Sequence, residues 1–194
     1  LSRLSGRAAV ESALAAVGGR LAHANAPCSI VVVGGAALNL AGMLDRPTID
    51  VDVLARVADV DGTIQPPEPL PASLRRAIAA VARDLGLAED WMNTAVADQW
   101  QFGLPPGLSE RLEWRSFGAL RVGIAHRRDL ICFKLYASAD QTGPDNVHVR
   151  DLIALQPDAE ELEWAAEWVR SQDPSPAFQT VLDRVVSYVA DALR

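Results

Sequence analysis

The stretch Ser29-Ile30-Val31-Val32-Val33-Gly34-Gly35 constrains this chain more than any other. An unbroken run of β-branched residues, with no polar alternation, predicts a strand covered on both faces. The two glycines end it, and residues 36–43 resume as a short helix. A strand that feeds a helix through paired glycines presents backbone N–H groups with no side chain in front of them. The helix start adds partial positive charge, so such a turn suits an anion, phosphate above all. An ordinary tight turn is the plainer alternative.

Pro47 then breaks the helix, and residues 48–54 alternate as a second strand. On that strand Asp50 and Asp52 share one face, while Val51 and Val53 point into the core. Two adjacent carboxylates repel each other, and nothing structural on a half-buried strand requires them. A divalent cation relieves the repulsion with oxygen ligands, Mg²⁺ being the usual partner of phosphates. Asp50 and Asp52 are therefore candidate metal ligands, or else solvated strand residues. Arg46 is placed to meet a phosphate, to pair with Asp52, or to serve as a loop residue. Thr48 offers a hydroxyl near the metal, or simply starts the strand.

Elsewhere the pattern is mixed. Residues 8–24 read as a helix in spite of Gly18-Gly19, residues 61–71 as a four-proline loop, and residues 73–85 as an amphipathic helix bearing Arg75, Arg76 and Arg83. Asp90 opens a further helix with Trp91, Met92 and Trp100. Residues 112–116 and 120–124 form a hairpin around Phe117-Gly118. From Arg128 onward the reading is helical, over residues 129–139, 146–155, 159–171 and 176–193, with Trp164 and Trp168 packed on the core. These elements make an α+β chain: a small mixed β-sheet core flanked by helices (residues 1–126), and an α-helical carboxyl-terminal part (residues 127–194) packed on it.

Charge narrows the function. The 194 residues carry a net charge of −7, which excludes a general polyanion coat and leaves nucleic acid to a local patch such as Arg75, Arg76 and Arg83, with Arg127 and Arg128. No apolar run spans a bilayer, the first residues lack the order of a secretory signal, and no membrane partner is expected. Cys28 and Cys132 read as reduced core residues, which points to the cytoplasm. Three scattered histidines exclude a zinc motif. Seventeen arginines stand against a single lysine, Lys134, flanked by Phe133 and Leu135. An unpaired ammonium there is costly, so Lys134 is either a point charge on phosphate or a lysine that snorkels to the surface.

Taken together, the glycine pair and the Asp-x-Asp of the next strand resemble the signature of the nucleotidyltransferase superfamily with the DNA polymerase β fold. GGAALNLAG followed by RPTIDVD is similar to the AbiEii and MenT group of toxin nucleotidyltransferases. Asp90-Trp91-Met92-Asn93, DLICFKLYA (residues 129–137) and the Asp151-Leu152 helix resemble later segments of that group, so the likeness covers roughly residues 30–155. The resemblance implies a nucleotidyltransferase core in which Gly34 and Gly35 cradle a triphosphate, Asp50 and Asp52 hold one or two Mg²⁺ ions, Lys134 contacts phosphates, and Asp151 is the later acidic catalytic residue. Glu113 competes with Asp151 as third carboxylate, and the arginine that many relatives carry before the final acid is displaced to Arg150. The implied substrates are a nucleoside triphosphate and a hydroxyl acceptor, the 3′ end of tRNA. The protein would then be the toxin of a toxin–antitoxin pair, with a cognate antitoxin protein as partner. The alternatives are an antitoxin of the same fold that adenylylates a partner protein, and a catalytically inactive binding module.

Overall fold

In the computed structural model, which describes residues 3–58, 62–141 and 147–194, the elements alternate until residue 124 and are helical afterwards. Two compact units result. The first comprises residues 1–101 and 107–125, and the second residues 102–106 and 126–194.

The first unit is built on a mixed sheet. The apolar run forms β2 (Cys28–Val33), fully buried from Ile30 to Val33 as a strand covered on both faces must be. The short strand β1 (Leu4–Ser5) precedes it, followed by helix α1 (Gly6–His23). After β2 come α2 (Gly34–Leu40), β3 (Pro47–Thr48), β4 (Val51–Val57) and β5 (Ile64–Gln65). Helix α3 (Ala72–Leu85), the short strand β6 (Met92–Asn93) and the hairpin β7 (Glu113–Phe117) and β8 (Leu120–Ile124) complete the unit. The strand order is β5-β4-β2-β8-β7, with β6 also on β4, while β1 and β3 pair separately. β2 runs antiparallel to β4 and parallel to β8, and β6 runs parallel to β4.

Helix α1 buries Val10, Ala13, Leu14, Val17 and Leu21, an i, i+3, i+4 stripe, and joins α3 through an Arg20–Asp84 ion pair. Its mid-helix Gly18 has a steric reason. A Cβ there would run into the backbone carbonyl of Phe117 in the hairpin turn, so the helix lies on the turn only because position 18 carries no side chain.

Three expectations are corrected. The second strand is not continuous over residues 48–54. Pro47–Thr48 pairs with β1, Ile49 is 60% exposed, and the central strand starts at Val51. The segment after Asp90 is not a helix but β6 followed by a 3-10 turn (Ala95–Trp100), because Val51 N–H donates to the Trp91 carbonyl (2.6 Å) and draws this segment onto the sheet. The indoles fix it further: Trp91 Nε1 donates to Ile78 O (3.2 Å) and Trp100 Nε1 to Leu54 O (2.7 Å). Lastly, Cys28 is half-buried rather than core, whereas Cys132 is buried.

The second unit holds α4 (Arg127–Asp140), α5 (Val147–Leu155), α6 (Ala159–Gln172) and α7 (Pro176–Ala192). Residue 61 of the four-proline loop and residue 146, at the start of the second helix of this part, lie outside the described residues. α4 is buried from Asp129 to Leu135, as the central helix of a bundle is. Trp168 meets Phe133 edge-on, ring centroids 5.5 Å apart, in agreement with its reading as a packing residue; Trp164 instead lies under the Arg128 guanidinium at 4.2 Å. Asp158 and Glu161 close a capping box at the start of α6, and Ser175 with Pro176 starts α7. Among the described residues, no helix is long and apolar enough to cross a membrane.

Candidate nucleotidyl-transfer site

Register brings the acidic strand to the glycines. Val33, the last residue of β2, stands opposite Asp52 of β4. The next residue, Gly34, has φ +70°, the left-handed region that glycine enters without penalty. A Cβ at Gly34 would lie 2.9 Å from Asp52 Cγ, closer still to the carboxylate oxygen, so the Asp52 carboxylate rests on the bare Cα of this residue. The glycine is thus required twice, by its backbone angle and by its neighbour.

Gly35 has a similar role one residue on. A Cβ there would stand 2.8 Å from Thr48 Oγ1 and 3.3 Å from Arg46 Nη2. Both glycines open α2 rather than preceding it, and the first amide N–H groups of a helix lack intrahelical acceptors. Gly34, Gly35, Arg46, Thr48 and Asp52 therefore form one cluster at the carboxyl end of β2.

A residue that the sequence reading missed holds this arrangement together. Asn39, completely buried, accepts from Arg46 N–H on Oδ1 (3.1 Å) and donates through Nδ2 to Arg46 O (2.8 Å). The two bonds bind the loop before Pro47 to α2. The available signal was an amide inside the apolar stretch Ala36–Leu40, where a buried polar group must find partners. Beyond Arg46, Nη1 of its guanidinium donates to Pro47 O (3.0 Å) and Thr48 Oγ1 donates to Asp50 O (3.2 Å).

Asp50 precedes β4 and Asp52 is its second residue. Exposure alternates over Asp50, Val51, Asp52 and Val53, with both aspartates half-buried and both valines at 0% exposure. Two carboxylates and the Thr48 hydroxyl are all hard oxygen donors, the set that a divalent cation such as Mg²⁺ selects. Among the described residues no group of three or more His, Cys, Asp or Glu gathers to hold a metal ion. Two protein carboxylates suffice for Mg²⁺, which ordinarily keeps waters and substrate phosphate oxygens as its other ligands.

Lys134 and Asp151 belong to the second unit, where they pair with each other. Lys134 Nζ on α4 lies 2.8 Å from Asp151 Oδ2 on α5, and the two side chains are only 5% and 3% exposed. His148 Nδ1 stands 3.4 Å from the same ammonium. Lys134 is thus a buried, ion-paired lysine and does not snorkel. Glu113 is 59% exposed, and its Oε1 accepts from Arg115 Nε (3.0 Å) and Nη2 (2.7 Å); Arg115 Nη1 also donates to Leu40 O (2.7 Å) at the end of α2.

A mixed sheet whose central strand ends in a glycine pair against the acidic strand beside it is the architecture of a nucleotidyltransferase core. The chain belongs to the family described as nucleotidyltransferase of unknown function (DUF6036), which it matches over residues 12–166. Membership implies a nucleoside triphosphate as substrate. No curated protein and no solved structure was found to match the chain.

Proposed function

We propose that this protein transfers a nucleoside monophosphate from a nucleoside triphosphate to a hydroxyl, releasing pyrophosphate, with Asp50 and Asp52 holding one or two Mg²⁺ ions. The observation that carries this reading is the Asp52 carboxylate lying on the bare Cα of Gly34, which puts a candidate metal ligand beside the backbone N–H groups that open α2. Bound Mg²⁺ supplies charge neutralisation and polarises the phosphoryl oxygens. The chain's own residues do the rest. The N–H groups at Gly34 and Gly35 bind phosphate oxygens, Arg46 adds a guanidinium beside them, and Thr48 holds the Asp50 backbone in place.

As the resemblance implies, Lys134 would serve as a point charge on phosphate and Asp151 as the later acidic residue. As acceptor we propose the 3′ end of tRNA, whose modification blocks aminoacylation and so translation. In that reading the protein is the cytoplasmic toxin of a toxin–antitoxin system, of the AbiEii/MenT type, neutralised by a cognate antitoxin.

Incubation with each α-labelled nucleoside triphosphate, Mg²⁺ and either total tRNA or cell lysate tests this. Label on tRNA that disappears in Asp52→Asn is the expected result. Label on a protein instead would move the proposal to the antitoxin alternative, and no label on any acceptor would leave a binding module.

A further inference from the structure

Asp52 has a second neighbour besides the glycine turn. On the other edge of β4 runs β6, whose Asn93 stands opposite Asp52. One residue beyond Asn93 begins the wall of a cavity of about 490 Å³ lined by Glu68, Pro69, Leu70, Arg75 and Thr94, a volume ample for a nucleotide-sized group. Thr94 Oγ1 donates to Glu68 Oε1 (2.6 Å), which closes one side, while Pro69 and Leu70 supply apolar surface for a ring. Arg75 makes no ion pair among the described residues.

We propose that this cavity is the acceptor subsite, and that it takes the terminal nucleotide of a single-stranded RNA, with Arg75 on its phosphate. The proposal rests on the nucleotidyl-transfer reading above and adds where the acceptor lies. In an in-line displacement the attacking hydroxyl and the leaving pyrophosphate occupy opposite sides of the reacting phosphorus. The glycine turn meets Asp52 on the β2 side, and on the β6 side Asn93 stands opposite Asp52, one residue before the cavity-lining Thr94. If the turn holds the triphosphate, the acceptor is left with the cavity. The hydroxyl oxygen forms the new P–O bond, the bond to pyrophosphate breaks, and the hydroxyl proton passes to solvent.

The charge of α3 favours a polyanion over a protein acceptor. Arg75, Arg76 and Arg83 are all exposed on this helix, and its one acid, Asp84, is paired with Arg20. In a chain of net charge −7 this is a concentrated basic strip. It extends from the cavity for about 12 Å at the α-helical rise, enough to follow a strand backbone.

Fluorescence anisotropy with a short 5′-fluorescein RNA bearing a free 3′ hydroxyl tests the proposal on the full chain. Binding of mant-labelled ATP, GTP, CTP and UTP with Mg²⁺ is measured in parallel. Arg75→Glu should weaken RNA binding about tenfold or more and lower its salt dependence, with mant-nucleotide binding unchanged. Arg194→Glu, the same charge change on the last residue of the chain, should leave both unchanged. Equal effects of the two substitutions on RNA, or no binding of RNA by the unsubstituted protein, would overturn the subsite. So would an Arg75→Glu effect confined to mant-nucleotide, which would assign the cavity to the donor. In all three cases mant-nucleotide binding by the unsubstituted protein leaves the nucleotidyl-transfer reading standing. Failure of every mant-nucleotide to bind removes both.

Discussion

Separating Lys134 from Asp151 should damage the second unit before it reveals anything about catalysis. The two side chains are 5% and 3% exposed and meet at 2.8 Å, so neither ion has water to turn to when its partner is removed. Breaking a buried pair by removing one member costs about 3–5 kcal/mol, because the remaining charge stays buried and uncompensated. Against a total stability of about 5–15 kcal/mol that is a large fraction. At about 2–4 °C per kcal/mol for a chain of this size, Asp151→Leu and Lys134→Met should each lower Tm by roughly 6–20 °C. Replacing both ions with apolar residues of similar volume, Lys134→Met with Asp151→Leu, should recover most of that loss, since well-packed apolar pairs often equal buried ion pairs. Thermal unfolding followed by circular dichroism across the four proteins measures the cycle. Single variants that melt with the unsubstituted protein, or a double variant that melts no higher than either, would refute the reasoning. The double variant also isolates chemistry from folding: if Lys134 contacts phosphate, it should be folded and yet fail to transfer label.

Other outcomes follow from the geometry of each unit. Gly34→Ala places a Cβ at φ +70° against Asp52, and the left-handed backbone alone costs about 1–2 kcal/mol. Tm should fall by a few degrees and transfer should drop far more than stability explains, measured by calorimetry and labelling on the same preparation. Asn39→Leu removes two hydrogen bonds to the Arg46 backbone while keeping the side-chain volume, and should loosen residues 46–50, read as faster amide hydrogen exchange there. In the second unit the Arg127 hydrogen bonds hold the Glu161 carboxyl below its ordinary value of 4.5, outweighing the opposing effect of burial. A folded value below the unfolded one stabilises above the unfolded pKa and is lost as pH falls through the folded value. Tm should therefore decline on acidification below about pH 4.5, and Glu161→Gln should flatten that part of the profile; an unchanged slope would remove Glu161 as its source.

What could be read directly was whatever a short window contains. β2 was legible because its β-branched residues run unbroken between a proline and two glycines, and α6 because Trp164 and Trp168 stand one turn apart among its acids. The acidic strand was legible in chemistry and displaced in extent. Residues 48–54 alternate perfectly well, but alternation says nothing of the Asn39 amide that grips Arg46 from inside α2, or of β1, which takes Pro47–Thr48 for itself. The loss of Ile49 to solvent is the consequence, and it leaves Asp50 at the edge of the sheet and Asp52 within it.

The segment after Asp90 failed for the same kind of reason. Trp91 and Met92 are as compatible with a helix as with a strand, and the decision rests with Val51, about forty residues earlier, whose N–H seeks the Trp91 carbonyl. That dependence has functional weight. The bond which makes β6 a strand also sets Asn93 opposite Asp52, so the side chains beyond it reach the neighbourhood of the acid only because the local helical preference is overridden. Breaking that ladder should uncouple the two. A proline at Asn93 removes the N–H that the parallel register turns toward β4, and if β6 is what presents Thr94 to the acidic strand, Asn93→Pro should impair the acceptor side while leaving binding of the nucleoside triphosphate at the glycine turn in place.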